Sequence, residues 1–232
     1  MEKSEPAFII GIPVYQGVDL LDVTAPYEVF NWMAQKLKGT RDVRVYLVAE
    51  SNGIVVTRDG LQLVPHKTFD QVARLDLLWV PGADPAALKE RMGDAIFLRQ
   101  LRAWSEHAAY VASVCEGALL LASAGLLDGY RATTHWAFLA CLRQFPKIEV
   151  VGGDPDYPRF VIDPEPGKTP RRGTRVTGAG ISSGLDEALK LVEMIGGRAL
   201  AEDVQATIQY FPKPPVHGKI PGSAQCPLDG IG

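Results

Sequence analysis

One cysteine, Cys115, stands where the sequence changes from a strand pattern to a helix pattern. Residues 110–114 are a short apolar run with β-branched side chains, typical of a buried strand, and residues 117–124 are rich in alanine and leucine, typical of a helix. The short connection predicts a sharp turn, with the free N–H groups of the new helix close to the sulfur. Such groups favour a thiolate and can hold an oxyanion, so Cys115 is a candidate nucleophile. The alternative is a small buried core cysteine.

A carboxylate, Asp22, is expected near this cysteine. Residues 7–14 are a continuous apolar run, typical of a parallel strand covered on both faces, and Asp22 follows in a loop. Ligands of open α/β sheets bind beyond the carboxyl ends of the strands, so Asp22 and Cys115 are expected at the same edge. A cysteine beside a carboxylate that transfers protons is a usable catalytic pair. Asp22, or Asp19, could instead merely cap the following helix.

Four backbone N–H groups at this edge are candidate stabilising donors. Those of Glu116 and Gly117 open the helix after Cys115, and those of Gly82 and Ala83 follow a buried strand that ends in proline and glycine. The carboxylate of Glu116 would oppose a thiolate if it faced Cys115. Neighbouring residues at a helix start point in different directions, so this side chain is expected to point away.

Two later segments are candidates for the pocket. His135 could act as a base or orient a water molecule, with a packed or surface histidine as the alternative. The glycine-rich segment 178–184 superficially resembles a dinucleotide loop, but Ser183 occupies the place of the third glycine. Its glycines, with Gly180 and Ile181 at the centre, are expected to allow close backbone approach and to line the same site.

Composition narrows the class of protein. The 232 residues are 47% hydrophobic and 22% charged, with a net charge of −3, which is typical of a globular protein that binds neither nucleic acid nor an anionic membrane. The polar extension 1–6 and the short apolar run after it are unlike a signal peptide or membrane span, so a cytoplasmic location is expected.

The cysteines and histidines predict neither cross-links nor a metal. Cys115, Cys141 and Cys226 are widely spaced and odd in number, which predicts no disulfide framework and no zinc knuckle. The four histidines show no metal-ligand spacing. The expected partner is therefore a small-molecule substrate, with no metal and no cofactor.

Alternating strand and helix patterns predict one α/β/α layered domain with a mainly parallel sheet over residues 7–210. The expected strands are 7–14, 43–48, 76–82, 110–114, 148–151, 159–162 and 175–177; the expected helices are 24–38, 94–109, 117–124, 136–143, 185–195 and 200–210. An Asp-Gly turn at 58–60 predicts a hairpin. Prolines and glycines predict an exposed loop at 164–173 and a tail at 211–232 without regular structure.

Three segments together resemble a known superfamily. Residues 114–136 resemble the nucleophile-elbow region of the ThiJ/PfpI superfamily, which is class I glutamine amidotransferase-like; residues 20–26 are similar to its first-loop motif and 176–186 to its late glycine motif. The resemblance implies a flavodoxin-like three-layer sandwich, usually homodimeric. It also implies Cys115 as nucleophile and Asp22 as acid/base.

Within the superfamily the chain most resembles the isonitrile (cyclohexyl-isocyanide) hydratases, and next the amidase-like domain of AraC-type regulators. The first resemblance implies hydration of an isocyanide to an N-substituted formamide through a cysteine thioimidate. The hydratase pattern has threonine where this chain has Glu116, and glycine where it has Ala25. Two alternatives follow from other members: a ligand or redox sensor without turnover, and a glyoxalase-like or amidase-like activity on another small electrophile.

Overall fold

A seven-stranded sheet is the centre of the computed structural model, which describes residues 6–164 and 173–228. The strands are β1 (Phe8–Pro13), β2 (Val43–Ala49), β3 (Val55–Val56), β4 (Gln62–Leu63), β5 (Lys67–Thr68), β6 (Leu77–Val80), β7 (Tyr110–Ser113), β8 (Arg131–Ala132), β9 (Glu149–Val150), β10 (Phe160–Asp163) and β11 (Thr174–Gly178). The order in the main sheet is β10-β11-β7-β6-β1-β2-β5, and only β10 runs antiparallel to its neighbour. The predicted mainly parallel sheet is confirmed.

Helices flank this sheet in two groups. The α-helices are α1 (Leu20–Lys36), α2 (Pro85–Gly93), α3 (Ala95–Ser105), α4 (Gly117–Ser123), α5 (Leu139–Leu142), α6 (Ser183–Gly196) and α7 (Arg198–Thr207). Helices α1, α6 and α7 pack against one another, and α2 to α5 form the second group. Because the sheet is covered on both faces, β6 is buried at all four positions, as its continuous apolar sequence predicts. The fold is the expected flavodoxin-like α/β/α sandwich.

Strand register brings the loops after β6 and β7 to the same edge. Val80 lies beside Ser113 in the parallel pair, so both strands end level with each other. The next residues, Pro81-Gly82 and Val114-Cys115, therefore leave the sheet side by side. The start of α1 reaches the same edge, where Asp19 N–H donates to Gly82 O at 3.0 Å.

Helix α1 begins four residues earlier than predicted. Asp19 occupies the N-cap position without a side-chain cap bond, and Thr24, the expected cap, donates its hydroxyl to Leu20 O instead. Asp22 thus lies in the first helical turn, not in a loop. Pro26 is tolerated within the helix although it lacks an N–H for the carbonyl of Asp22; the Trp79 indole N–H donates to that carbonyl at 2.9 Å.

Several other predictions were wrong or lie outside the described residues. Strand β5 and helix α2 were not predicted, although Asp84 caps α2 and Pro85 opens it. The predicted helix 136–143 is a 3₁₀ turn followed by α5. Most of the predicted polar extension 1–6 and of the predicted loop 164–173 lies outside the described residues, which leave out 1–5, 165–172 and 229–232.

The prediction of no disulfide was wrong. Cys141 in α5 and Cys226 in the tail are bonded, although 85 residues separate them in sequence. Spacing alone could not reveal this pairing, because it depends on where the tail crosses the surface. The described part of the tail, 211–228, contains no helix or strand, as its prolines and glycines predict. Among the described residues, every helix is too short or too polar to cross a membrane.

Candidate active site

Cys115 lies on the predicted strand-to-helix turn in a left-handed backbone conformation, with φ of 56°. Its N–H donates to Ala179 O at 2.8 Å, and the Thr134 hydroxyl donates to its carbonyl at 2.7 Å. A left-handed conformation is unfavourable for a side chain with a β-carbon and persists only where the surroundings enforce it. The two hydrogen bonds hold the Cys115 backbone in this conformation.

Four buried side chains converge at this turn. One ligand-type atom from each of Asp19, Asp22, Cys115 and Glu116 lies within 4.8 Å of the others. The predicted meeting of Cys115 with Asp22 is therefore present in the structure. The same sulfur and carboxylate oxygens form a candidate cation site. No metal was expected from the sequence because only the spacing of cysteines and histidines was considered, and not this group of carboxylates.

The Asp22 carboxyl is almost completely enclosed. Its Oδ2 accepts the Gly82 N–H at 2.8 Å, whereas Oδ1 has no hydrogen-bond partner among the described residues. Burial raises the pKa of Asp22 well above its usual range, the charge of Glu116 raises it further, and the Gly82 hydrogen bond opposes both only in part. Burial thus favours the protonated form of Asp22, which suits a proton donor.

The Cys115 thiol is also held neutral. Burial raises its pKa well above the usual value, and the neighbouring Asp22 and Glu116 raise it further. The prediction that the helix start favours a thiolate is therefore wrong, because desolvation and two close carboxyl groups outweigh the helix end. The expectation that Glu116 points away is also wrong, since one of its carboxylate oxygens lies within 4.8 Å of the Cys115 sulfur in the buried cluster.

Three of the four expected oxyanion donors are already engaged. Gly82 N–H donates to Asp22, and Gly117 N–H donates to Val114 O at 3.0 Å. Glu116 N–H lies against its own carboxylate. Within the described part of the chain, Ala83 N–H donates to no carbonyl, which leaves it as the donor most available to a bound molecule.

Arg58 and Tyr15 also reach the cluster, and neither was predicted. Arg58 lies in the hairpin turn between β3 and β4, and its guanidinium is 2.7 Å from Asp19 Oδ1. Tyr15 is buried and donates its hydroxyl to Pro81 O at 2.8 Å. The hairpin was correctly predicted, but nothing in an Arg-Asp-Gly turn indicates that its arginine folds over a distant aspartate.

A further unpredicted acid, Glu187 of α6, lies in the interior near Asp22. Both of its carboxylate oxygens lack hydrogen-bond partners among the described residues, and its carboxyl group presses against the Cα of Gly178. Burial raises the pKa of Glu187 well above its usual range, and the charge of Asp22 adds to this effect. At this depth a neutral carboxyl group has a lower desolvation free energy than a carboxylate.

An apolar chamber of about 380 Å³ is lined by Thr134 and Ala179, the two residues that hydrogen-bond to the Cys115 backbone, but not by the four cluster residues themselves. Of the predicted pocket residues, His135, Gly180 and Ile181 line it. The His135 ring accepts the Ala137 N–H at 3.3 Å, and burial lowers its pKa. His135 is thus a packed, neutral wall residue, which matches the alternative given for it.

The close contact at Gly117 makes a stability prediction. A β-carbon there would lie 2.0 Å from Val80 O, so Gly117→Ala must displace backbone and is expected to lower the free energy of unfolding by about 3 kcal/mol. The matched control is Gly93→Ala at the end of α2, where a β-carbon meets nothing within 4 Å. Urea unfolding of both variants checks the contrast; equal stabilities would contradict the described packing.

The pKa of Glu116 predicts how stability changes with pH. Burial raises it from 4.5 to about 7, so between these values only the unfolded chain loses this proton. The free energy of unfolding should therefore fall as pH rises from 4.5 to about 7, by about 3 kcal/mol from this group, and stay level above. Glu116→Gln should remove this component. Urea titrations across the range measure it, and identical pH slopes for both proteins would contradict it.

Fold and site together define a class: α/β/α sandwiches with a cysteine on a strained strand-to-helix turn and a buried carboxyl beside it. Residues 10–165 match the DJ-1/PfpI family, and the chain belongs to that family. It is 37% identical over 218 residues to an isonitrile hydratase of Pseudomonas putida, covering 94% of this chain and 85% of that protein.

A solved structure and a regulator extend the comparison. A ThiJ/PfpI family protein from Pseudomonas syringae superposes with a TM-score of 0.75 at 32% identity, covering 91% of this chain and 78% of that one. The HTH-type transcriptional regulator GbdR of Pseudomonas aeruginosa is 26% identical over 202 residues, which cover 87% of this chain and 50% of the regulator. The chain thus spans about half the length of that regulator.

Proposed function

We propose that this protein is an isonitrile hydratase, converting a neutral isocyanide and water into an N-substituted formamide. The observation that carries the proposal is the buried cluster in which the Cys115 sulfur lies within 4.8 Å of the Asp22 carboxyl group. The similarity to the Pseudomonas putida isonitrile hydratase supports it.

The substrate suits such a closed site. An isocyanide ends in a bare carbon atom, so it is slender at its reactive end and carries no charge. Cys115 is only 1% exposed, and a charged or branched electrophile would have to displace more of its surroundings. A thiol and a carboxylic acid can add to this carbon while the net charge of the buried cluster stays constant.

In the first step, sulfur bonds to the isocyanide carbon as the thiol proton passes to the Glu116 carboxylate. The proton on Asp22 Oδ1 then bonds to the same carbon, which gives the thioimidate R–N=CH–S–Cys115. Asp22 is now ionised and Glu116 neutral. The net charge of the three groups is unchanged, which suits a cluster that burial has desolvated.

In the second step, a water oxygen bonds to the thioimidate carbon while Asp22 takes one of its protons and Glu116 protonates the nitrogen. The carbon–sulfur bond then breaks, and the hydroxyl proton of the adduct returns to sulfur. The products are the formamide and the starting forms of Cys115, Asp22 and Glu116. Ala83 N–H, which donates to no carbonyl among the described residues, is the proposed donor to the tetrahedral adduct.

The direct test is to incubate the protein with cyclohexyl isocyanide and to measure N-cyclohexylformamide. We expect the wild type to form this product. The rate should be unchanged by a chelator, because no step of the mechanism uses the cluster as a cation site. If no formamide forms at any of the pH values tested from 6 to 9, the proposal is overturned.

Glu116 should set the pH dependence of the rate. It must be ionised to accept the thiol proton, and its pKa is raised to about 7. We therefore expect kcat/KM for cyclohexyl isocyanide to rise as pH increases through about 7 and then to level off. Glu116→Gln should remove this rise together with most of the activity. A wild-type profile that falls across this range would contradict the assigned role.

The raised thiol pKa argues against the alternative of a redox sensor. Sensor cysteines are exposed and ionised, whereas Cys115 is buried and neutral. Rapid oxidation by peroxide without isocyanide turnover would favour the sensor. A homodimer is also part of the proposal, and sedimentation of the purified protein tests it.

A further inference from the structure

The apolar chamber touches the direct neighbours of both catalytic candidates. Its walls include Thr134 and Ala179, which hold the Cys115 carbonyl and N–H, and Leu21, which precedes Asp22. The chamber wall is therefore bonded to the Cys115 backbone and adjacent in sequence to Asp22, although neither catalytic candidate is itself a wall residue. The volume of about 380 Å³ is within the range of small-ligand pockets and can hold a ring-sized substituent.

The chamber favours uncharged groups. Aromatic and aliphatic side chains make up much of its wall, including Trp136, Leu139 and Tyr157. Its one permanently charged lining residue, Arg159, is committed elsewhere, because the guanidinium bonds to the Asp186 carboxylate and to the Ser182 hydroxyl. An anionic substituent would gain little from this arginine while losing its hydration.

One wall residue comes from the tail. Ile220 lies in the segment without helix or strand, is 44% exposed, and lines the chamber together with residues from the main fold. A side chain at once exposed and lining a cavity is at the mouth, where it limits what can pass or protrude. No prediction from the sequence placed this segment near the site.

Two contacts fasten the tail in place. Cys226 is bonded to Cys141 of α5, the helix that also contributes Leu139 to the chamber, and Leu228 is buried in the core. The disulfide thus ties the tail to a helix that forms part of the same chamber. Without this bond, only non-covalent contacts would hold the eighteen described tail residues after Tyr210 against the main fold.

We propose that the tail completes the substrate chamber through Ile220, that Ile220 limits the size of the apolar N-substituent, and that the Cys141–Cys226 disulfide holds this part of the wall in place. The expected substrates are isocyanides with cyclic, branched or aromatic hydrocarbon substituents. The identification of the substrate as an isocyanide rests on the proposed function. The inference that the chamber binds apolar ligands is independent of that function.

The test compares methyl, cyclohexyl and adamantyl isocyanides on three variants. Ile220→Trp should lower kcat/KM for cyclohexyl isocyanide about tenfold and leave methyl isocyanide unchanged, whereas Ile220→Ala should raise kcat/KM for adamantyl isocyanide by a similar factor. The control Val216→Ala changes an exposed tail residue outside the chamber and should alter none of the three. Parallel changes for all substrates, or no change, would overturn the proposal.

The disulfide is tested by Cys226→Ser and by reduction of the wild type. Both should raise KM for cyclohexyl isocyanide, leave methyl isocyanide unchanged, and expose the tail to limited proteolysis. An unchanged KM in both would refute the fastening role.

If the wild type hydrates no isocyanide, the chamber is tested by fluorescence of the neutral probe N-phenylnaphthylamine. Weaker binding to Ile220→Trp, with Val216→Ala unaffected, would support the chamber although the proposed reaction had failed. Equal binding to all variants would overturn the chamber as well.

Discussion

Cys115→Ala is expected to reduce formation of N-cyclohexylformamide by at least about four orders of magnitude, because no other group in the cluster can form the thioimidate. The substitution removes one sulfur atom from a site already shaped around a left-handed backbone, so the fold should persist. Cys115→Ser keeps the shape of the side chain and should be nearly as inactive, since a buried hydroxyl is a far weaker nucleophile than a thiol.

The measurement is formamide release by wild type and both variants, with urea unfolding to confirm that each is folded. A folded Cys115→Ala variant that keeps even a tenth of wild-type turnover would show that sulfur does not bond to the substrate. The reaction would then have to be assigned to direct attack by water, with Asp22 and Glu116 as the acid and base.

Asp22→Asn is expected to lower kcat by about a thousandfold, because the amide cannot donate an acidic proton to the substrate carbon or take one from water. The amide oxygen can still accept the Gly82 N–H, and replacing a buried acid with an amide should leave stability equal or higher. The loss should appear mainly in kcat, since the group acts on the reacting atoms and not on the chamber.

Asp128→Asn is the matched control, because Asp128 is a partly exposed aspartate that pairs with Lys147 at the surface. It should be indistinguishable from the wild type. A stable Asp22→Asn variant that retained wild-type kcat would remove Asp22 from the mechanism and leave Glu116 as the sole proton carrier.

Elements with continuous patterns were predictable from the sequence. The buried strands and the turn at Cys115 follow from local runs of apolar residues, and the rule that parallel strands share an edge placed Cys115 beside Asp22. The start of α1 was mistaken because Thr24 and Pro26 together resemble a helix start. In the structure, Trp79, a residue more than fifty positions away, satisfies the carbonyl that Pro26 leaves free.

The electrostatics of the site could not be predicted from the sequence, because they depend on burial and distance. A cysteine at a helix start suggested a thiolate, but the enclosed carboxyl groups of Asp22 and Glu116 reverse that preference. Arg58 and Ile220 reach the site from a hairpin turn and from the tail, and neither position carries a periodic signal. Their roles depend on how loops cross the surface.

The most direct test of the account is to trap the bond between Cys115 and the substrate. Wild type and Asp22→Asn would be mixed with cyclohexyl isocyanide, quenched in acid and analysed by peptide mass spectrometry. The account predicts a mass increase of one isocyanide molecule on the peptide that contains Cys115 in the wild type, a weaker one in Asp22→Asn because this variant cannot protonate the substrate carbon, and none in Cys115→Ala. The account would be contradicted if the wild type produced formamide without any adduct on the Cys115 peptide and Cys115→Ala also turned over the substrate.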